Sequence, residues 1–233
     1  MEHVLDNPGW NALISGNKHL AHGNDQVRYF APEVSPFMGL RDKSDKQFQM
    51  LYDMIAHDGP VGFITNIETE LPEMWKLIQP NKAFQMIYNL PADPPAVEID
   101  IVPLTEQHVP QMLALTKLTN PGPFAEQTIN FGHYYGIFDG DKLVAMAGQR
   151  LHIGEYAEIS AVCTHPDYLG RGYAKQLLLS HIHRIRAAKN IPILHVRTDN
   201  HRALRVYESL GFKARAIIYF NILMKNKQGW SCL

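Results

Sequence analysis

Two hydrophobic periods alternate along this chain, and the switches between them lay out its elements. Apolar and polar residues alternate over residues 97–102, which predicts a strand. Thr105 is placed to cap a helix that carries Met112, Leu113, Leu115 and Leu118, and Asn120-Pro121-Gly122-Pro123 stops it. Residues 124–131 predict a second short helix. Residues 134–138 predict a strand, Asp139-Gly140-Asp141 a hairpin turn, 143–153 the return strand and 156–164 a further strand. A helix-period run starts at about Gly172 with Leu177, Leu178, Ile182 and Ile185. A strand over 192–200, a helix to Leu210 and a strand over 212–223 complete this part.

Residues 1–90 read less clearly. Residues 46–55 predict a helix with Phe48, Leu51, Tyr52 and Ile55 on one stripe. A strand over 60–66, a short helix over 71–78 and a strand over 83–90 follow. Pro91-Ala92-Asp93-Pro94-Pro95 places three prolines in five residues, which neither a helix nor a central strand accepts. The chain therefore divides into an N-terminal α/β half over 1–90, a Pro-rich linker over 91–97 and a C-terminal domain over 98–233. Both halves carry the order helix, Pro-led strand ending in Asn, helix, strand, which suggests that the first is a degenerate copy of the second. An unrelated small α/β cap fits residues 1–90 equally well.

The chemistry concentrates at Val162-Cys163-Thr164-His165-Pro166-Asp167-Tyr168-Leu169-Gly170-Arg171-Gly172-Tyr173-Ala174. A strand ends, two glycines straddle an arginine, and a helix begins. Such a turn aims several backbone N–H groups at one spot, and the helix N-terminus adds its positive end. Without a Cβ, glycine lets a diphosphate approach the backbone closely. A Walker loop would need Gly-Lys-Ser/Thr, but Gly172 is followed by Tyr173 and Ala174. The dinucleotide fingerprint would need glycine at Lys175 and an acidic residue on the next strand, where Ile193-Leu194-His195-Val196 has none. The remaining form, Arg/Gln-x-x-Gly-x-Gly/Ala, is met at Gly172 and Ala174.

Downstream come Asn200, Ala203, Tyr207 and Gly211-Phe212 in the pattern Asn-x-x-Ala-x-x-x-Tyr-x-x-x-Gly-Phe. On these two motifs the chain resembles the GNAT superfamily of N-acetyltransferases over about residues 98–225, and with its additional N-terminal half it resembles the glycine N-acyltransferase-like branch. Leu169 departs from the family pattern, which usually has Arg or Gln there; Arg171 can supply the positive charge. The resemblance implies an α/β (α+β) fold with a mixed, mostly antiparallel sheet flanked by helices. It also implies acetyl-CoA as cosubstrate, transfer of the acyl group to a primary amine by direct attack on the thioester, and no metal.

The resemblance places the diphosphate on Leu169, Gly170, Arg171, Gly172, Tyr173, Ala174 and Lys175, with Asn200 and Ala203 beside the cofactor. The strand before the loop splays in the family, so the amides of Val162, Cys163 and Thr164 are expected to bind pantetheine and polarise the thioester carbonyl. Tyr207 is the candidate acid for the departing thiolate, since a phenol with a pKa near ~10 stays protonated at rest. Its plain alternative is a core aromatic packed on Phe212. Glu158 is the candidate base: period 2 puts it on one face with Ser160, Val162 and Thr164, and the role requires burial to raise its pKa. Its plain alternative is a solvated carboxylate or a salt-bridge partner. Cys163 reads as a core residue, and Asn200 also reads as a helix cap.

Charge and composition narrow the partners. Net charge is −1 over 233 residues, with 45% hydrophobic and 19% charged residues. That describes a globular chain with no field for nucleic acid. No apolar run approaches the ~20 residues of a membrane span. Residues 1–6 lack a basic and then apolar leader, so no signal peptide is expected. Cys163 and Cys232 do not form a disulfide framework, and a reduced, cytoplasmic setting follows. Twelve histidines show no ligand spacing; His181 and His183, two apart on a helix, diverge. The expected acceptor is a small-molecule amine or amino acid. A peptide or protein acceptor, a non-catalytic CoA-binding module, and a homodimer stay open as alternatives.

Overall fold

The computed structural model describes residues 3–227; Cys232 lies outside them. The strands are β1 (Ala21–Gly23), β2 (Val27–Phe30), β3 (Phe37–Leu40), β4 (Val61–Thr65), β5 (Trp75–Tyr88), β6 (Val102–Pro103), β7 (Tyr135–Asp139), β8 (Lys142–Ile153), β9 (Tyr156–Thr164), β10 (Ile191–Arg197) and β11 (Phe212–Lys225). The helices are α1 (Pro8–Ile14), α2 (Asp45–Met54), α3 (Val109–Thr119), α4 (Tyr173–Ala187) and α5 (His201–Ser209), with short 3₁₀ turns between them.

All eleven strands form one sheet in the order β1-β2-β3-β4-β11-β5-β10-β9-β8-β7-β6. Pairing is antiparallel except for β3 with β4 and β9 with β10. The two halves thus share a sheet. Strand β5, from before the proline linker, lies between β10 and β11 and is hydrogen-bonded to both. The proline break is real in the chain but does not separate two sheets.

Two segments differ from expectation. Residues 71–78 do not form a helix: the chain turns at Pro72, whose carbonyl accepts from Trp75 N, and enters the 14-residue strand β5. An open partner edge decides this, because β11 pairs with β5 from Trp75 to Tyr88 and the indole of buried Trp75 donates to Phe48 O at 3.2 Å. Pro80 is tolerated because β10 pairs only as far as Ala83, so its missing N–H lies on an edge. The proposed repeat of helix–strand–helix–strand therefore lacks its second helix in the N-terminal half. Residues 97–102 form almost no strand; only Val102 and Pro103 pair with β7, while Ile99 and Ile101 pack beside α4's Leu177.

The sheet buries both faces. On one, Leu178, Leu179, Ile182 and Ile185 of α4 cover Ala157, Ile159, Leu194, Val196 and Phe212. On the other, Leu5, Leu13, Phe30 and Phe37 of the N-terminal half join Met112 and Leu115 of α3, Phe131, Tyr134 and Ile193 in one cluster. A third cluster seats α2, through Phe48 and Leu51, on Met38, Val61, Phe63 and Leu223. Among the described residues no helix is long and apolar enough to cross a membrane.

Candidate active site

Strands β9 and β10 run parallel but pair at only three positions, the last being Ile193 with Glu158. Beyond it β9 continues to Thr164 and β10 to Arg197 without pairing to each other, so the sheet opens into a V. Strand β9 keeps β8 on its other edge. Within the opening, β9 carries a bulge: Ala161 has φ +53°, and the register with β8 shifts between Ser160 and Cys163. Val162, Cys163 and Thr164, expected to polarise the carbonyl, lie on this stretch, whose edge toward β10 has no strand partner while Cys163 and Thr164 pair with β8.

The bulge corrects one expectation. Period 2 would put Glu158 and Val162 on one face, but the extra residue inverts the alternation. Val162 packs with Ala157 and Ile159 on the α4 side, whereas Cys163 shares the opposite cluster with Tyr156. The Cys163 thiol is buried and pushed up to about 11 by that burial, which suits a core residue.

The V leads to the glycine loop. A 3₁₀ turn at Pro166–Tyr168 and exposed Leu169 precede Gly170 (φ +81°) and Gly172 (φ +80°). At neither glycine would an added Cβ meet an atom within 4 Å, so both face open space. Gly172 is the N-cap of the 15-residue helix α4, and the first-turn amides, at Tyr173, Ala174 and Lys175, lack intrahelical acceptors. The Arg171 guanidinium lies 4.6 Å from the centre of the Tyr168 ring, and Tyr168 donates to Asp139 at 2.6 Å. A left-handed glycine pair on open space before a helix N-terminus fits a diphosphate.

Across the V, Asn200 caps α5, its Oδ1 accepting from Ala203 N at 3.1 Å. Tyr207 on α5 is partly buried against Phe212, ring centres 6.2 Å apart, and burial pushes its hydroxyl up to about 12. The packing expected of a core aromatic is therefore present, and the phenol stays protonated at neutral pH.

Glu158 is 1% exposed, but its environment is not that of a carboxylate tuned upward. Arg150 of β8 donates to both carboxylate oxygens, at 3.0 and 2.5 Å, and Leu151 N adds a bond at 3.3 Å. His195 of β10 places Nδ1 2.8 Å from Oε1. Burial alone would raise the pKa; the charge of Arg150 and the bonds from Arg150 and His195 outweigh it and hold the carboxyl well below its usual range. The expectation of a base with a raised pKa is corrected: Glu158 is a locked anion.

The sequence did not single out the partners of Glu158. Beyond His195, Gln85 of β5 has its Nε2 3.1 Å from His195 Nε2 and donates to Leu5 O at 3.0 Å. Its Oε1 accepts from Arg215 of β11 at 2.8 Å, and Arg215 bonds Asp6 at 2.6 Å. Five adjacent strands and the N-terminal segment thus share one chain of polar groups on the face away from α4. The legible signal was an arginine and a histidine inside mostly apolar strands, at Arg150 and His195. His181, by contrast, is buried against Tyr135, while His183 bonds Pro95 O at 2.9 Å. Among the described residues no group of three or more His, Cys, Asp or Glu side chains could hold a metal ion.

Comparison with known proteins agrees with this geometry. Residues 134–220 match the FR47-like protein family. N-alpha-acetyltransferase RimI of Mycobacterium tuberculosis is 38% identical over 85 residues, which is 35% of this chain and 52% of that protein. Mycothiol acetyltransferase of Corynebacterium glutamicum is 36% identical over 78 residues, 33% of this chain and 26% of that one. The chain thus spans about half or less of the curated relatives it matches. A GNAT-family structure from Novosphingobium aromaticivorans superposes with a TM-score of 0.90 and 33% identity, over 97% of this chain and 100% of that one. With the glycine loop, the opened β9–β10 pair and this full-length match in hand, the chain belongs to the GNAT family of acetyltransferases.

Proposed function

We propose that this protein transfers an acetyl group from acetyl-CoA to the primary amine of a small molecule or amino acid, by direct attack on the thioester. The observation that carries the reading is the continuity of the β9–β10 opening with the glycine loop: one path runs from unpartnered strand edge to helix N-terminus. Diphosphate held at Gly170–Lys175 anchors the cosubstrate far from the reacting carbon, and that binding energy positions the thioester. Amides from Val162 to Thr164 then polarise the carbonyl, and Tyr207 gives its proton to the departing thiolate.

A small acceptor is supported by the second face of the sheet. Leu5, Phe30 and Phe37 from the N-terminal half pack with Met112, Phe131 and Tyr134 across that side, which narrows room for an extended peptide. Titration calorimetry with acetyl-CoA tests the cosubstrate, with Gly172→Glu as control. The glutamate meets φ +80° and places a negative charge at the loop. Micromolar binding by the wild type, abolished in the variant, is the expected result. A screen of small amines, amino acids and N-terminal peptides, read by free thiol, then tests the acceptor. Binding without turnover on any of them would favour a CoA-binding module, and turnover confined to peptides would overturn the small-acceptor reading.

A further inference from the structure

We propose that His195 takes the proton from the acceptor ammonium, with Glu158 as its positioning partner. The inference rests on the acetyltransferase reading above.

Position comes first. Pairing of β9 with β10 ends at Ile193 and Glu158, and His195 is the next residue of β10 on the same face as Ile193. It stands at the vertex of the V, on the side covered by the N-terminal half and α3.

The donors and acceptors around it assign its protons. Arg215 only donates, so the Gln85 atom facing it is Oε1; Leu5 O only accepts, so the other is Nε2. Gln85 Nε2 therefore donates to His195 Nε2. Glu158, already an acceptor from Arg150, receives the hydrogen on Nδ1. These partners select the tautomer of the imidazole with its hydrogen on Nδ1 and its lone pair on Nε2. This is the arrangement of a general base oriented by a carboxylate.

Arg150 from β8, Glu158 from β9, Gln85 from β5, Arg215 and Phe220 from β11, Asp6 from the N-terminal segment and Tyr134 ahead of β7 surround the pair. Formal charges cancel across Arg150, Glu158, Arg215 and Asp6, so a proton arriving on His195 meets the nearest charge at Glu158, 2.8 Å away.

The His195 side chain is 3% exposed, and Gln85 Nε2 lies 3.1 Å from Nε2, on the lone pair. That amide has two hydrogens, and releasing the one on His195 leaves its bonds to Leu5 and Arg215 in place. The acceptor, or a water ahead of it, then occupies the vacated direction. The ammonium N–H bond breaks, its electron pair stays on nitrogen, and the proton moves to Nε2. The free amine forms the C–N bond; the C–S bond breaks with its pair on sulfur, which takes the Tyr207 proton. The second nitrogen proton restores Tyr207, and the proton on His195 leaves to solvent. One amide, one thiol and one proton result.

The test uses the full chain, acetyl-CoA and two acceptors: benzylamine, an ammonium ion at pH 7, and hydroxylamine, mainly uncharged there. His195→Gln is expected to lower kcat/KM for benzylamine by ~10²–10⁴ and to remove the acid limb of its pH profile. Acetyl-CoA affinity by calorimetry and the hydroxylamine rate stay close to wild type. Gln85→Glu presents a second carboxylate to the imidazole, so the acid limb moves to higher pH, by about one unit or more. An acid limb unmoved in both variants overturns the proposal. So does equal loss with both acceptors, which marks a structural role, or wild-type turnover of hydroxylamine without benzylamine. A wild type that fails to bind acetyl-CoA overturns the acetyltransferase reading itself, and this inference with it.

Discussion

Glu158 is a carboxylate committed to four donors, and Glu158→Gln measures what that commitment is worth. The substitution keeps the shape and one acceptor oxygen but removes the charge facing Arg150, which is only 8% exposed. Arg150 retains the Phe37 ring, 4.8 Å from its guanidinium carbon, but no anion. Breaking a buried pair from one side costs ~3–5 kcal/mol, because a buried charge is left uncompensated. At ~2–4 °C per kcal/mol for a chain of this size, the melting temperature at pH 7 should fall by about 6–20 °C. The pH dependence has a definite sign. The folded pKa of Glu158 lies below the ordinary 4.5, so its contribution is full above that value and is lost as pH falls beneath it. The gap between wild type and Glu158→Gln, followed by circular dichroism, should therefore narrow as the medium is acidified below about pH 4.5. Replacing both partners, as Arg150→Met with Glu158→Leu, should recover much of the loss, since no charge then stays buried alone. A single variant within ~1 kcal/mol of wild type at pH 7, or a gap that widens in acid, would refute the reasoning.

Three further outcomes follow from individual sites. Tyr207→Phe should lower kcat for acetyl transfer by ~10²-fold or more while leaving acetyl-CoA affinity unchanged, because only the proton donor is removed; single-turnover thiol release checks this. His181 is fully buried and its pKa is lowered from 6.5 to about 4 by burial, so folding holds it neutral. That contribution is complete above the unfolded value of 6.5 and erodes as pH falls toward 4, by ~3 kcal/mol in total; His181→Leu should flatten denaturant midpoints across that window. Leu169 is 47% exposed on the anion loop, so Leu169→Arg adds a solvent-screened cation and should tighten acetyl-CoA binding by ~2–5-fold, less at high salt.

What the sequence made legible is the machinery built from local rules. Strand β9, the glycine loop and α4 follow from a period switch and two left-handed glycines, and the α5 cap follows from Asn200 three residues before Ala203. What stayed hidden depends on partners distant in the chain. Residues 71–78 carry a helical spacing, yet an open edge of β11, about 150 residues away, draws Trp75 to Leu77 into β5. The bulge at Ala161 leaves no mark in composition, because alanine has no special liking for φ +53°; the register of β8 against β9 imposes it. For the same reason Glu158 read as a candidate base from its strand position alone. Its actual partners come from positions 150 and 195, and the meaning of a buried carboxylate lies in those partners.

The insertion of β5 ties these observations together. Strand β10 is half of the V, and on the side away from β9 its neighbour is β5, paired from Ala83 to Ile87. Gln85, in the middle of that pairing, is also the residue that covers His195 and holds Arg215. The N-terminal half therefore supplies a wall of the opening and a member of its polar chain, besides packing Leu5 and Phe37 over the same face. Removing residues 1–90 would take away β4 and β5, leaving β10 with one unpaired edge and β11 without either of its strand partners. The glycine-loop and Asn200 motifs lie after the proline linker; the hydrogen-bonded polar chain draws residues from both sides of it. The position of His195 and the outer wall of the opening each depend on a strand that precedes the linker. The two halves share one polar chain because they are one sheet.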